Sequence, residues 1–151
     1  MTLQERVTLE NQLLVREGFS QFQIYALQNP GNYGLWGEHK TNSGRLYKIW
    51  SPLPSDYPYS KPPVYVHEPN PLWGYGYSKT VNSYGTSHYM HTLSNGPNGQ
   101  VQICHWHSDR WHSAITFNRV MLKVVLWLEA YEQHFETGKS ISDFVTTMSQ
   151  S

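Results

Sequence analysis

Successive β-rich segments joined by short turn-forming connections constrain this chain more than any other feature. From Phe19 to Val66 the residues are β-branched and aromatic, interrupted by Asn29-Pro30-Gly31-Asn32 and Asn42-Ser43-Gly44. Such clusters read as turns, which places strands at about 20–27, 33–40, 45–51 and 62–67. A parallel pair needs a long crossover, so the short connections imply an antiparallel meander of four strands. Pro52, Pro54, Pro58, Pro62 and Pro63 fit an extended, rigid segment at the edge of that sheet.

Helical patterns flank the meander. Thr2 and Glu5 form an N-cap and capping-box pair, after which Leu3, Val7 and Leu14 make one apolar stripe, widened by Leu13. Gly18 is the natural stop, so the spacing predicts a helix over 3–17. Near the other end, Val120, Val124, Trp127, Leu128, Tyr131 and Phe135 recur at helical intervals, with Thr116 as N-cap and Gly138 as terminator. Residues 69–99 are rich in Gly, Asn, Ser, Pro and Tyr, without periodicity, and irregular stretches of that length tend to be functional. Residues 101–104 read as one short strand, and the weakly patterned tail, 139–151, leaves room for a further short helix. The expectation is a single α+β domain over residues 1–151, its helices packed on an antiparallel sheet.

Composition narrows the function. Apolar residues are 38% of the chain and charged residues 15%, with six Trp, eleven Tyr and five Phe to build a core. The formal charge is zero and no Lys/Arg run is present, which argues against nucleic-acid or anionic-membrane binding. No apolar run approaches the roughly 20 residues of a membrane span, and the polar N-terminus does not read as a signal peptide. A cytoplasmic location is expected. Cys104 is the single cysteine, so no internal disulfide can form.

Two segments carry a family resemblance. Tyr57-Pro58-Tyr59-Ser60-Lys61-Pro62-Pro63-Val64 is similar to the Tyr-Pro-Phe-x-x-Pro-Pro stretch of ubiquitin-conjugating enzymes. Ile103-Cys104, then Trp111, then Ala114-Ile115-Thr116 leading into Val120 and Leu122, resembles the family's Ile-Cys, Trp-Ser-Pro-Ala-x-Thr and following helix. The similarity covers about residues 3–137. Trp127-Leu128-Glu129-Ala130-Tyr131-Glu132 with Thr137-Gly138-Lys139 looks like the relatives found in bacterial antiphage operons. The resemblance implies a ubiquitin-conjugating-enzyme-like fold: helix, four-stranded meander, irregular active-site loop, long helix. It implies an acyl carrier that takes the C-terminus of a ubiquitin-like protein, or of a CBASS cyclase, as a thioester on Cys104 and passes it to an amine on a target protein. It also implies an activating-enzyme-like partner that consumes ATP, with no cofactor on this chain.

That chemistry sets requirements of its own. Transthiolation needs an exposed, ionisable thiol, and an ordinary thiol is only a few per cent ionised at neutral pH. His105 and His107 would favour the thiolate if protonated, though neighbours one apart on a strand point to opposite faces. Aminolysis builds an oxyanion, for which the family uses the Asn of a His-Pro-Asn motif. This chain has none. It offers His91-Thr92-Leu93-Ser94-Asn95-Gly96-Pro97-Asn98-Gly99, in which His91 matches the family's upstream His, and Asn98 or Asn95 is the amide candidate; Asn-Gly pairs are equally turn formers. Asp109 is a carboxylate placed to orient an acceptor, ahead of Glu136, and Trp111 is a structural anchor for the loop after the cysteine. Two rival readings remain. One is a structural zinc site drawn from His88, His91, Cys104, His105, His107 and His112, with no bound metal expected on the main reading. The other is a catalytically inactive adaptor of the same fold.

Overall fold

A computed structural model describes residues 1–28, 32–86 and 89–145. The fold is α+β. Helix α1 (Leu3–Arg16) is followed by strands β1 (Phe22–Ala26), β2 (Tyr33–Lys40), β3 (Leu46–Pro52) and β4 (Val64–Glu68). After a long irregular stretch come β5 (Thr92–Leu93), β6 (Val101–Ile103) and the long helix α2 (Phe117–Thr137). The sheet order is β1-β2-β3-β4-β6-β5 and each pairing is antiparallel. It therefore has six strands, where the sequence suggested a four-strand meander. The short strand expected at 101–104 pairs with β4, and a two-residue β5 inside the irregular region pairs with it in turn. Two residues between polar turns are too few to show a period-2 pattern. β4 is consequently interior, not an edge; Pro52 ends β3, and Pro54, Pro58, Pro62 and Pro63 lie in the segment that leads into β4. Of the first turn, Asn29, Pro30 and Gly31 lie outside the described residues.

The inner face of the sheet follows from the strand period. Phe22 and Ile24 of β1, Leu35 of β2, Tyr47 and Ile49 of β3, Val64 and Val66 of β4, and Val101 and Ile103 of β6 are all buried. Their registers align into rows, with Ile24 opposite Leu35, Ile49 opposite Val66, and Val64 opposite Ile103. α2 covers this face with Val120, Val124, Trp127, Leu128 and Tyr131, the stripe its spacing predicts. Gly37 of β2 has no side chain because Phe22 takes its place: a Cβ there would stand 2.3 Å from the Phe22 ring.

Both helices are capped, though not identically. Thr2 and Glu5 of α1 form the expected capping box. The α1 chain turns at Gly18 (φ +88°), where Phe19 N–H donates to Leu14 O at 2.7 Å. Thr116 occupies the N-cap position of α2, but its hydroxyl donates to Asn118 Oδ1 at 2.5 Å and leaves the helix end to another group. That group is Glu10 of α1, whose Oε1 accepts the Phe117 N–H at 3.0 Å. Gly138 ends α2 in the left-handed conformation, as expected. In the tail, Ile141–Asp143 form a single helical turn and residues 146–151 lie outside the described residues.

Glu10 lies on the buried stripe of α1, between Val7 and Leu14, and is 0% exposed. Its Oε2 accepts from Arg6 Nε at 3.1 Å and from the Tyr57 hydroxyl. Arg6 also donates to Ser113 O at 2.8 Å and Ile115 O at 3.0 Å. One buried carboxylate thus ties α1, the proline-rich segment and the start of α2 together. A buried charge that loses its hydrogen bonding costs several kcal/mol. Glu10→Gln is expected to lower unfolding free energy by about 3 kcal/mol, and Tyr57→Phe, which deletes one donor, by about 1 kcal/mol. Urea denaturation of the two variants checks the order; equal losses would contradict the assignment of Glu10 as the hub.

Candidate active site

Cys104 directly follows β6 and is half-buried. Its N–H donates to His91 O at 2.9 Å. His91 is 5% exposed and has positive φ (+51°), turning the chain into β5. Its predecessor Met90 accepts from Trp127 Nε1 at 2.9 Å, so a fully buried indole of α2 holds the strand that holds the cysteine backbone. Cys104 and His91 thus adjoin through the main chain.

The residues after the thiol turn inward. His105 is 2% exposed and its Nε2–H donates to Pro62 O at 2.8 Å. Burial drives its imidazole pKa down to about 3, overriding the opposing effect of that bond, so the ring is neutral at physiological pH. It cannot supply positive charge to a thiolate. Trp106, 5% exposed, follows on the same stretch. Lys61 Nζ donates to its carbonyl at 2.8 Å, while Lys123 Nζ sits 3.5 Å from its ring centroid and the Arg119 guanidinium 5.3 Å from it. Its indole N–H has no hydrogen-bond acceptor among the described residues.

Lys61 and Lys123 set the electrostatics of the thiol. Burial pushes the Cys104 pKa up; the positive charges of Lys61 and Lys123 pull it back without cancelling the rise. Burial likewise lowers both amines, Lys123 to about 8, with the charge of Arg119 next and the thiolate of Cys104 opposing. Neither lysine was singled out in the sequence. The signal existed for Lys123, which falls on the α2 stripe between Val120 and Trp127 where an apolar residue belongs. Lys61 carried no such mark.

The other sequence candidates are spread out. Asn95 and Asn98 are exposed in the connection between β5 and β6, where Asn98 has φ +56° and its carbonyl accepts from Asn70 Nδ2 at 2.9 Å. Gly96 N–H bonds Gln100 O at 2.8 Å and closes this turn at the end of β6 opposite Cys104. Three residues of extended chain, Val101 to Ile103, lie between Gln100 and the cysteine, and the four steps span about 13 Å. The fold does not bring either amide beside the thiol. His107 and Asp109 are exposed in the short helical turn region at Ser108–Arg110, and Glu136 is exposed near the end of α2. Trp111 is anchored as expected, its Nε1 donating to Pro58 O at 3.0 Å and its ring edge-on to His105 at 6.2 Å. Of the zinc candidates, His112 is exposed, His88 lies outside the described residues, and no group of three or more His, Cys, Asp or Glu among the described residues is arranged to hold a metal ion. No helix among those residues is long and apolar enough to cross a membrane.

Compared with protein-family models and with curated proteins, the chain gives no match.

The neutral His105 makes stability depend on pH. The unfolded ring takes up a proton near 6.5, the folded ring only near 3, so stability falls as pH drops through that window. Between pH 7 and pH 5 the wild type is expected to lose about 2 kcal/mol more unfolding free energy than His105→Gln, which keeps an N–H for Pro62 O. Urea titrations at the two pH values give the comparison, and equal losses would mean that the folded ring titrates normally.

Proposed function

We propose that this protein is an acyl carrier of the ubiquitin-conjugating-enzyme type, with Cys104 as the thioester thiol. The observation that carries the reading is Cys104 itself: a half-exposed thiol at the end of a sheet strand, with the charges of Lys61 and Lys123 acting on it. The sequence similarity supports the same assignment. Tyr57–Pro63 and Trp111, the two segments that resemble the family, meet through the bond between Trp111 Nε1 and Pro58 O. They frame the stretch that contains Cys104. The order of a first helix, an antiparallel meander and a long last helix also suits a ubiquitin-conjugating-enzyme-like fold.

In this reading the Cys104 thiolate attacks the thioester presented by an activating-enzyme-like partner. The donor is the C-terminus of a ubiquitin-like protein or of a CBASS-type cyclase, as in bacterial antiphage conjugation systems. The acyl group then passes to an amine of a target protein. His91 fixes the cysteine backbone, and Trp111 fixes the loop behind it.

Charging tests the reading. Incubation with a matched activating enzyme, ATP and the ubiquitin-like donor is expected to give an adduct on non-reducing gels that dithiothreitol removes. The adduct disappears in Cys104→Ala and becomes reductant-stable in Cys104→Ser. Tight binding of the donor with no adduct in any form would replace the carrier with a non-catalytic binding module of the same fold.

A further inference from the structure

The oxyanion of amide formation needs a donor, and the groups a conjugating enzyme would be expected to use are placed elsewhere. Asn95 and Asn98 sit at the far turn of the β5–β6 hairpin. The Cys104 N–H, which could otherwise face a developing negative charge, is already given to His91 O. His105 is buried with its N–H on Pro62 O.

Two ammonium groups are gathered on a single residue, Trp106, two positions after the thiol, and both charges act on that thiol. Trp106 accepts Lys61 Nζ on its carbonyl and takes Lys123 Nζ against its ring. Lys61 arrives from the proline-rich segment before β4, and Lys123 from the buried face of α2. A donor held in place before the reaction costs no reorganisation when charge develops, and one such group is commonly worth about 100-fold in rate.

We propose that Lys61 and Lys123 form the electrophilic side of this site, stabilising the oxyanion and the departing Cys104 thiolate during acyl transfer. The inference rests on the carrier reading above. In the step, the acceptor amine attacks the thioester carbonyl carbon, a C–N bond forms, and the C=O electron pair moves onto oxygen. Collapse restores the carbonyl, breaks the C–S bond and returns the electron pair to Sγ, while the amine proton leaves to solvent. Thioester and amine become amide and thiol. Negative charge appears first on oxygen and then on sulfur, and the two lysines oppose both.

Charge on Lys123 limits the pH range. The groups acting on it are Arg119 from α2, Arg110 from the turn after the cysteine, and Cys104; Lys61 and Lys123 together act on His105. With an amine pKa of about 8, Lys123 is charged below that pH and loses its role as pH rises through it.

The test separates loading from transfer. A glycylglycyl thioester of a small thiol, in excess, loads Cys104 by exchange; after its removal, hydroxylamine, already uncharged near neutrality, discharges the protein. Intact mass follows the rate. Lys61→Met and Lys123→Met, checked for folding by circular dichroism, are expected to discharge about 100-fold more slowly, and the Arg forms to keep most of the wild-type rate. The wild-type rate should level or fall above pH 8, and Lys123→Arg should move that limit upward. Discharge of both Met forms at the wild-type rate would overturn the inference while leaving the carrier reading intact. A reductant-stable acyl group found on Lys61 or Lys123 themselves would also overturn it, making them acceptors. Failure of the wild type to load at Cys104 removes the carrier reading and the inference together.

Discussion

The buried carboxylate of Glu10 is the constraint on which the arrangement of the site depends. It caps α2, accepts the Tyr57 hydroxyl and holds Arg6. Arg6 in turn grips the carbonyls of Ser113 and Ile115, shortly before α2 begins. The segment from Cys104 to α2 is therefore pinned at its far end by α1. Its near end is pinned by β6, and its middle by Trp111 on Pro58. An isolated carboxylate would not persist at 0% exposure; here its oxygens meet three donors. Burial and the adjacent carboxylate push the Tyr57 hydroxyl well above the ordinary phenol range, so it remains a donor throughout the working pH range.

A second buried acid plays a parallel part at the other end of the sheet. Glu132 of α2 accepts from Thr41, Ser43 and Tyr47, and so fastens the β2–β3 turn to the helix. α2 is held at its start by Glu10 and near its end by its own Glu132. Between them stand Lys123, against the Trp106 ring, and Trp127, which bonds the carbonyl of Met90 just before His91. The rigidity of the site follows from this spacing along one helix. Lysines fixed by such a frame act on Cys104 without first being ordered, as the proposed role in acyl transfer requires.

The sequence made the regular elements legible and the irregular ones only in part. Long periodic patterns located α1 and α2 to within about a residue, and the polar turn clusters located the first four strands. β5 was invisible because two residues make no pattern, and with it went the six-strand count. Thr116 was placed correctly as a position but not as a cap, since nothing local shows that a glutamate over a hundred residues away will reach Phe117. At the site, the sequence singles out Cys104, His91 and Trp111. The two lysines were missed because their role depends on Trp106 bringing together a proline-rich segment and a helix far apart in sequence. A charged residue inside an apolar stripe was the available clue, and it applies alike to Glu10, Lys123 and Glu132.

The account stands on a thiol that is reachable in the folded protein and governed by two lysines. Alkylation of Cys104 with a small reagent across pH, in the native wild type and in the Lys61→Met and Lys123→Met variants, addresses that most directly. The account predicts one modification in the folded state, titrating above the ordinary thiol range in the wild type and higher still in each variant. Modification only after unfolding in urea, or one unchanged titration in all three proteins, would contradict it.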